Sequence, residues 1–418
     1  MSEAAIKTTR TRDARPFGEL FAEGTRNGLT RPKAVRGVGV KMVNMGELFA
    51  HPRLRNAPMD RVPLSEAEAD RFVLEPGDLL FARQSLVLEG AGKCSIFLSD
   101  DEPVTFESHI TRVRLDPQEA DPRFYFYYLQ SHHGRAAITS IVEQGAGASG
   151  IRGSDLGRLR VLWRPLSEQC AIAEILGALD DKIEQNRRTA KALERLAQAI
   201  YRAWFVDFEP VKAKAAGATD FPSMPQPVFE ALPTRFADSE IGAVPKGWEV
   251  LRLDGLLTLQ RGFDLPKQSR SDGSHPVLAA SGVNGWHSEW KVRGPGVTTG
   301  RSGVLGQVYF VDHDFWPLNT SLWVKEYTQS SPWHAYFLLQ TLDLAQFNAG
   351  SAVPTLNRNH VHSLPIVAPP ENVLEAFGQL CASTFSLSQQ LRTEMDELAA
   401  MRYYLLPKLL SGEVHAEA

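Results

Sequence analysis

The sequence has little cysteine and no long apolar run. Its 418 residues contain three cysteines, Cys94, Cys170 and Cys381, which lie far apart and form no CxxC pair. This spacing argues against a disulfide framework and against a zinc site of the usual kind. No apolar run approaches the ~20 residues of a membrane span, and the polar N-terminus lacks the apolar core of a signal peptide. The sequence therefore predicts a cytoplasmic protein with no membrane contact.

A recognisable active site is also absent from the sequence. The stretch EGAGKCS (89–95) resembles a phosphate loop, but Val87 stands in place of the first glycine and Cys94 in place of Ser or Thr. DFEP (207–210) lacks the second proline and the aromatic residue of an adenine-methyltransferase motif, and no nuclease-like cluster of carboxylates and lysine is found. We therefore predict a chain that is not an enzyme and binds neither a metal nor a cofactor.

Basic residues are not in excess, since the formal net charge is −4. This balance argues against a protein that coats nucleic acid indiscriminately. It still allows local basic surfaces, such as 31–41 and 51–55, because steering depends on how charge is distributed.

Two similar stretches, GIRGSDLGRLRVLWRP (150–165) and TLNRNHVHSLPIVAPP (355–370), indicate an internal repeat. Each runs from a polar loop through a short apolar strand to a proline, and Leu159 and Leu364 correspond. Upstream of both, a glycine-rich loop, two strands and an aromatic helix follow in the same order. The chain therefore consists of two copies of one unit, each made of a domain and a helix.

Each copy ends in a long amphipathic helix. Apolar residues recur at alternating steps of four and three from Ile172 to Trp204, with Asn186 as a polar residue on the seam. This pattern favours a two-helix coiled coil over a core helix of a globular domain. After Pro370 a second helix has comparable spacing. We expect the helix interface to comprise Leu176, Leu179, Ile183, Asn186, Leu193 and Ile200 of the first helix and Leu387, Leu391, Leu398 and Leu405 of the second.

These patterns divide the chain into five segments. We predict recognition domains at 1–165 and 241–370, spacer helices at 166–207 and 371–414, and a linker rich in Pro and Ala at 208–240. The predicted fold class is α+β, with two tandem α/β domains separated by two long antiparallel helices and related by a pseudo-two-fold axis.

The central segments AIYRAWFVDFEPVKAKAAG (199–217) and PTRFADSEIGAVPKGWEVLRLDGLL (233–257) closely resemble specificity subunits of type I restriction–modification systems, and MRYYLLPKLLSGEV (401–414) resembles their distal region. In the first copy PFGELFAEG (16–24) has no counterpart of the PKGW stretch (245–248). The resemblance implies a non-catalytic reader of double-stranded DNA whose two domains each bind half of a bipartite target. It also implies that the helices dock two modification subunits, which carry S-adenosylmethionine and methylate adenine, and that a restriction subunit can join to cut DNA.

Base edges are read by Arg, Lys, Asn, Gln, Ser and Thr side chains, and phosphates are bound by basic side chains and backbone N–H groups. A solvated loop side chain is the alternative for every candidate. In the first domain the candidates are Lys33, Arg36, Lys41, Asn44, Arg83, Gln84, Ser85 and Lys93. In the second they are Arg261, Lys267, Arg270, Ser281, Asn284, Thr298, Thr299, Arg301 and Ser302. The stretch TTGRSG (298–303) aligns with FARQS (81–85), so the loops that carry Arg301 and Arg83 correspond.

Further residues are ambiguous between DNA contact and a structural role. Trp286 and Trp290 could stack on a displaced base or pack in the domain. His109 and Asn319 lie just before strands at matching places of the two copies, and a turn role is at least as plausible for them as DNA contact. Of the two stretches that define the repeat, only Arg152 and Asn357 are candidates for DNA contact.

Two other functions compete with the DNA reader. A coiled-coil scaffold whose globular ends bind protein would show the same helices. An enzyme fused to its own reader would need a catalytic domain, for which the two units and their helices leave no room. The methylated bases in a host that carries the chain and its modification partner distinguish the reader from the scaffold.

Overall fold

A computed structural model describes residues 14–145, 148–350 and 352–416. The chain forms two compact units, which divide at residue 185 and again at residue 394. Unit 1 comprises residues 14–185 and 394–416 of the described chain, and unit 2 comprises residues 186–393. Both long helices are thus shared, because unit 1 holds the start of the first and the end of the second.

The elements up to the end of the first long helix are, in chain order, β1 Ala14–Pro16, β2 Arg26–Asn27, β3 Val40–Val43, α1 Met45–Ala50, β4 Arg53–Arg55, β5 Asp60–Val62, α2 Glu66–Phe72, β6 Leu79–Ala82, β7 Gln84–Ser85, β8 Cys94–Ser99, β9 Val104–Phe106, β10 Ile110–Val113, α3 Pro122–Gln130, α4 His132–Thr139, β11 Glu143–Gln144, β12 Ser149–Gly150, α5 Gly153–Arg158, β13 Arg160–Leu162 and α6 Leu166–Tyr201. The five-stranded main sheet of unit 1 has the order β2-β10-β6-β8-β4. Smaller sheets are formed by β5-β3-β9, β11-β12-β7 and β1-β13.

The remaining elements are α7 Glu209–Ala215, α8 Gln226–Ala231, β14 Phe236–Ser239, β15 Gly242–Pro245, β16 Glu249–Arg252, α9 Leu253–Leu256, β17 Leu257–Arg261, β18 His275–Ala279, β19 Gly282–His287, β20 Gly296–Gly300, β21 Val308–Val311, β22 Trp316–Pro317, β23 Ser321–Tyr327, α10 Pro332–Thr341, α11 Arg358–His362, β24 Pro365–Ala368 and α12 Glu371–Ser411. The main sheet of unit 2 has the order β17-β23-β20-β21, and β19-β18-β22, β14-β15 and β16-β24 form the others.

The two units contain equivalent backbone hydrogen bonds. The Gly28 N–H donates to the Ile110 carbonyl in unit 1, and the Gly262 N–H donates to the Ser321 carbonyl in unit 2, both at 3.1 Å. In each unit the strand that ends directly before this glycine pairs antiparallel with the strand that accepts the bond. The internal repeat predicted from the sequence is therefore confirmed.

The opening of the first copy has a counterpart that sequence comparison did not find. The Phe17 N–H donates to the Leu159 carbonyl, and the Leu253 N–H donates to the Leu364 carbonyl, both at 2.8 Å. A short strand precedes each donor and pairs with the last strand of its unit. PFGELF (16–21) thus matches RLDGLL (252–257) rather than PKGW, and three apolar positions are too weak a signal to show this in the sequence.

The aromatic helices α3 and α10 also begin alike. Asp121 caps α3 by accepting the Arg123 N–H, Ser331 caps α10 by accepting the His334 N–H, and a proline follows each cap. A polar cap followed by proline suits a helix start, because proline has no N–H to leave unpaired. Both helices bury an aromatic face against α6 within their own units, through a hydrogen bond from Tyr127 and ring stacking at Tyr201.

Residues 208–240, for which the composition predicts a linker, differ from that expectation. They hold α7, α8 and the start of a hairpin, and Phe208, Val211 and Phe229 are buried in the core of unit 2. Full burial of such a side chain stabilises a fold by roughly 1.5–3 kcal/mol. A few apolar residues therefore suffice to fold a segment that is otherwise rich in Pro and Ala.

The antiparallel helix pair predicted from the sequence is confirmed within each unit. In unit 1, Asp180 of α6 pairs with Arg402 of α12, and Lys182 pairs with Glu394 at 3.3 Å. As the chain of α6 advances, its partners on α12 move back, which is the antiparallel arrangement. In unit 2, an ion pair joins the two helices through Arg392 and Glu194.

The seam of α12 differs in part from the prediction. Leu387 is 43% exposed, whereas Ser388 beside it is buried. From Phe377 and Cys381, both buried, alternating steps of three and four lead to Ser388 rather than to Leu387. The sequence predicted Leu387 because a leucine fits an apolar seam better than the neighbouring serine. The register of α12, which follows from buried Phe377, places Ser388 on the seam instead.

A buried histidine makes the stability of unit 2 depend on pH. Burial lowers the pKa of His334 to about 3, and Ser330 Oγ lies 2.8 Å from its Nδ1. The unfolded chain, whose histidine pKa is about 6.5, binds a proton at a pH where the folded chain does not. The stabilisation is thus fully present above about pH 6.5 and is lost as the pH falls.

We expect His334 alone to lower the free energy of unfolding by about 2 kcal/mol between pH 7 and pH 5. Urea unfolding at both pH values measures the change. His362, whose pKa burial also lowers, adds to the slope, so His334→Gln should reduce the slope without abolishing it. An unchanged slope in His334→Gln would contradict this assignment.

Candidate nucleic-acid interface

In each unit, four chain segments meet at one edge of the main sheet, which we call the rim. The segments of the unit 1 rim are 25–29, 83–87, 107–109 and 150–153. Those of the unit 2 rim are 259–264, 301–305, 318–320 and 355–358.

Gly28 and Gly262 bring the first and third segments of each rim together. A Cβ atom on Gly28 would collide with the carbonyl oxygens of residues 106–107, and one on Gly262 would collide with those of residues 317–318. Only glycine permits this close backbone approach. The two glycines therefore allow the first and third segments to make the same close contact in both units.

Arg83 and Arg301 attach the second segment to the third. The Nη1 of Arg83 donates to the Ser108 carbonyl at 3.4 Å, and the Nη1 of Arg301 donates to the Asn319 carbonyl at 3.3 Å. The two arginines correspond, as the sequence alignment predicts. Both guanidinium groups are half-buried, so each supports the rim as well as lining it.

The carbonyl groups of the same two arginines hold the fourth segment. The Ile151 N–H donates to the Arg83 carbonyl at 3.0 Å, and the Leu356 N–H donates to the Arg301 carbonyl at 2.8 Å. Ile151 and Leu356 are the apolar residues at which the sequence repeat begins. Their burial therefore anchors the loops that carry Arg152 and Asn357.

Beyond each rim glycine the chain repeats the pattern Gly-x-x-x-Pro-Lys-x-x-Arg, as GLTRPKAVR (28–36) and GFDLPKQSR (262–270). The lysine of each copy, Lys33 or Lys267, begins a single 3₁₀ turn and is exposed. Proline fixes the backbone directly before the lysine. Each unit thus presents one lysine from a stiff turn next to its rim.

The arginine that closes the pattern holds this turn in place. Arg36 donates through Nη1 to Asn44 Oδ1 at 2.9 Å, and Arg270 donates through Nη2 to Asn284 Oδ1 at 3.2 Å. Arg36 also pairs with Asp60 at 3.1 Å. These two arginines, predicted as DNA contacts, therefore brace the turns that carry Lys33 and Lys267.

Several other predicted DNA contacts are held inside unit 1. Lys41 is mostly buried and pairs with Asp100 at 2.8 Å. Asn44 caps α1 in a capping box. Lys93 donates to the Phe49 carbonyl at 3.2 Å, so this lysine of the phosphate-loop-like stretch has a structural role.

Two predicted contacts are corrected by their burial. Thr298 and Thr299 lie inside β20 and are each 1% exposed. Thr299 Oγ1 donates to the Gln307 carbonyl at 2.8 Å. A side chain enclosed in the sheet cannot reach a base edge, so we remove both from the candidate surface. They belong to the strand that leads to Arg301, whereas the sequence alignment placed them in a loop.

The predicted residues that lie on a rim and are at least partly exposed are Gln84, Ser85, Arg261 and Ser302, together with the two supporting arginines. Ser281 is exposed on a turn whose Ala280 carbonyl lies near Gly300, the residue directly before the rim segment 301–305. On the following strand Trp286 is 54% exposed, so its ring is not enclosed in the domain.

The turn residues and the two loop candidates have local partners. Ser108 corresponds to Asn319 by its hydrogen bond, so the predicted match of His109 with Asn319 is shifted by one residue. Arg152 pairs with Glu143 at 2.7 Å, and both side chains are well exposed. Asn357 caps α11 through its side chain.

Sequence reasoning missed three exposed rim residues of unit 1, namely Asn27, Leu86 and Val87. Asn27 precedes Gly28 as Arg261 precedes Gly262, a correspondence that the repeated pattern around the glycines could have revealed. Leu86 is 88% exposed, and no pattern in the sequence distinguishes it from a core leucine.

Among the residues that the structure describes, no group of His, Cys, Asp and Glu has the arrangement of a metal site. Over the same residues, no helix combines the length and the apolar character that crossing a bilayer needs.

A family model described as the type I restriction modification DNA specificity domain matches residues 45–195. The specificity subunit of the type I restriction enzyme HindI from Haemophilus influenzae is 23% identical over 409 residues, covering 82% of this chain and 87% of the relative. The MjaIX specificity subunit from Methanocaldococcus jannaschii is 24% identical and covers 72% and 71%. The EcoKI specificity subunit from Escherichia coli is 31% identical over 189 residues, which are 44% of this chain and 40% of that subunit.

A solved structure has the same fold. The S subunit of a type I restriction–modification system from M. genitalium aligns over 96% of this chain and 97% of its own, with a TM-score of 0.60 and 16% identity. The matched domain, the similarity along most of the sequence and the shared fold agree with one another. Residues 45–195 therefore match the type I DNA specificity domain, and the chain is similar to type I specificity subunits along most of its length.

Proposed function

We propose that this chain is the DNA-recognition subunit of a type I restriction–modification complex. The observation that carries the proposal is the rim, which is built twice from equivalent hydrogen bonds. The residues exposed on the two rims differ, for example Gln84 against Ser302. Two equivalent but chemically different surfaces suit a bipartite DNA target whose halves have unlike sequences.

The recognition domains are residues 1–165 and 241–370 in this proposal, and the helix pair sets the distance between the half-sites. A rigid spacer between two DNA-binding surfaces predicts a fixed number of unread base pairs, as in dimeric DNA readers. The helices dock two modification subunits that methylate adenine, and a restriction subunit joins them to cleave DNA. The chain itself contributes recognition, and the chemistry belongs to its partners.

Lys33 and Lys267 are the proposed phosphate contacts. They are exposed, they occupy the same place in a repeated turn, and Arg36 and Arg270 brace that turn. The phosphate backbone is the same at every sequence, so a contact to it suits a residue that both units share.

Sequencing the methylated adenines in a host that carries this chain and its modification subunit tests the function. We expect one two-part motif with a fixed spacer. Exchanging residues 241–370 for the corresponding domain of a relative should change one half of the motif and leave the other half intact. Absence of a two-part motif with the parent chain, or a change in both halves after the exchange, would overturn the proposal.

A further inference from the structure

At the strand end before each rim glycine, the two units have equivalent backbone positions but different side chains. Asn27 pairs with Thr111 in the antiparallel register of unit 1, and Arg261 pairs with Leu322 in that of unit 2. Both Asn27 and Arg261 are exposed. They therefore project from equivalent backbone positions with different hydrogen-bonding groups.

In unit 1, the side chain at this position is held in one orientation. The hydroxyl of Thr111, a buried residue, donates to Asn27 Oδ1 at 2.7 Å. This bond takes one of the two lone pairs of Oδ1 and leaves the two N–H groups of Nδ2 for a ligand. An exposed amide that is fixed by a buried hydroxyl is prepared to bind at little cost in side-chain entropy.

In unit 2, the residue equivalent to Thr111 cannot form this hydrogen bond. Leu322 takes the place of Thr111, is buried, and has no polar group to offer. The guanidinium of Arg261 offers only donors, in a planar fork that fits the O6 and N7 atoms of guanine. Both positions thus present donors, but an amide in one unit and a guanidinium in the other.

The neighbouring sequence is shared between the units. The rim glycine and the Pro-Lys turn follow Asn27 and Arg261 at the same spacing. If the shared lysines bind phosphates, they set each unit on the DNA in the same way, because phosphate contacts position a protein without reading sequence. Differences in the sequence that is read must then arise from residues that differ, and Asn27 and Arg261 are such a pair.

We propose that Asn27 and Arg261 are specificity-determining residues that contact bases at equivalent places of the two half-sites, and that Thr111 is a positioning residue for Asn27. The inference rests on the proposed function. Arg261 offers only donors and therefore selects guanine, whereas Asn27 contacts its base through the N–H groups of Nδ2. Cytosine, whose major-groove hydrogen-bonding group is a donor, is excluded from direct contact with Arg261.

The test uses the assembled complex of the full chain and its modification subunit, with methylated motifs and DNA affinity as readouts. Asn27→Ala should relax one position of one half-site, and Arg261→Ala should relax a G·C position of the other. Each variant should lose about 10- to 100-fold in affinity for the parent motif and retain its affinity for unrelated DNA. Gln118→Ala, which removes an exposed amide from the turn beyond the far end of β10, serves as the matched control and should change neither readout.

Thr111 separates positioning from folding. Thr111→Val should relax the same motif position as Asn27→Ala, whereas Thr111→Ser keeps the hydroxyl and should retain the parent motif. Leu322 shows that an apolar side chain is accommodated at this place in the sheet of unit 2, so loss of folding is not expected, and the unfolding transition of Thr111→Val checks this.

Two outcomes distinguish this inference from the proposed function. A two-part motif for the parent chain that stays unchanged in both Asn27→Ala and Arg261→Ala would overturn the inference alone. A parent chain that gives no two-part motif would overturn the proposed function itself. Relaxation in Asn27→Ala but a parent motif in Thr111→Val would remove the positioning role of Thr111.

Discussion

Phe377→Ala is expected to destabilise unit 2 by about 3–5 kcal/mol, the usual cost of removing a fully buried phenylalanine side chain. Phe377 is 0% exposed, and its ring contacts Tyr201 at the end of α6, Trp204 and Phe205 directly after it, and Phe337 of α10. Alanine would leave a cavity at the place where these rings pack α12 against α6 and α10. Thermal or urea unfolding of the purified chain measures the loss.

The matched control is Leu387→Ala, on the same helix. The sequence pattern places Leu387 on the seam, but the structure leaves it 43% exposed. We therefore expect its truncation to change the free energy of unfolding by less than about 1 kcal/mol. Equal losses from the two substitutions would contradict the register of α12 described above and restore the seam predicted from the sequence.

The double variant Lys33→Ala and Lys267→Ala is expected to weaken DNA binding of the assembled complex by about 60-fold at 0.1 M salt. Each phosphate contact releases about 0.9 counterion, which corresponds to about 8-fold in affinity at that concentration. The slope of the logarithm of the binding constant against the logarithm of the salt concentration should therefore become shallower by about 2. The methylated motif should not change, since phosphates carry no sequence information.

Lys246→Ala with Lys325→Ala removes the same charge from exposed positions outside the two rims and serves as the control. Its salt slope should equal that of the parent complex. A shallower slope in this control would show that total charge governs binding. An unchanged slope in the Lys33 and Lys267 variant would show that the two repeated turns do not bind phosphates. Fluorescence anisotropy with labelled DNA at several salt concentrations measures both variants.

The architecture could be predicted from sequence wherever a pattern repeats. The seam from Ile172 to Trp204 follows from the spacing of apolar residues, because only one face of a helix can meet its partner at that period. The internal repeat follows from corresponding residues such as Leu159 and Leu364. The opening of the first copy could not be matched in this way, because the hydrogen bond of Phe17 leaves no residue-specific trace.

The candidate interface was predicted less well, since exposure depends on which way each strand residue points. The correspondence of Arg83 with Arg301 was predicted and agrees with their equivalent hydrogen bonds. Thr298 and Thr299 were predicted as contacts although the sheet encloses both. A Thr-Thr-Gly stretch has the composition of a loop, and the pairing of β20 with strands on both sides decides otherwise.

By itself the sequence determined that the chain repeats a unit of domain and helix, that its long helices carry apolar seams, and that no familiar catalytic motif is present. Those properties depend on composition and on the local spacing of apolar residues, which can be read directly from the sequence. Only the tertiary structure decided which polar residues form a surface. Asn27 is held by Thr111, 84 positions further along the chain, and Arg36 braces a turn through Asn44. Such partners are set by strand pairing and by the close approach of glycine turns, because distance in space is independent of distance along the chain.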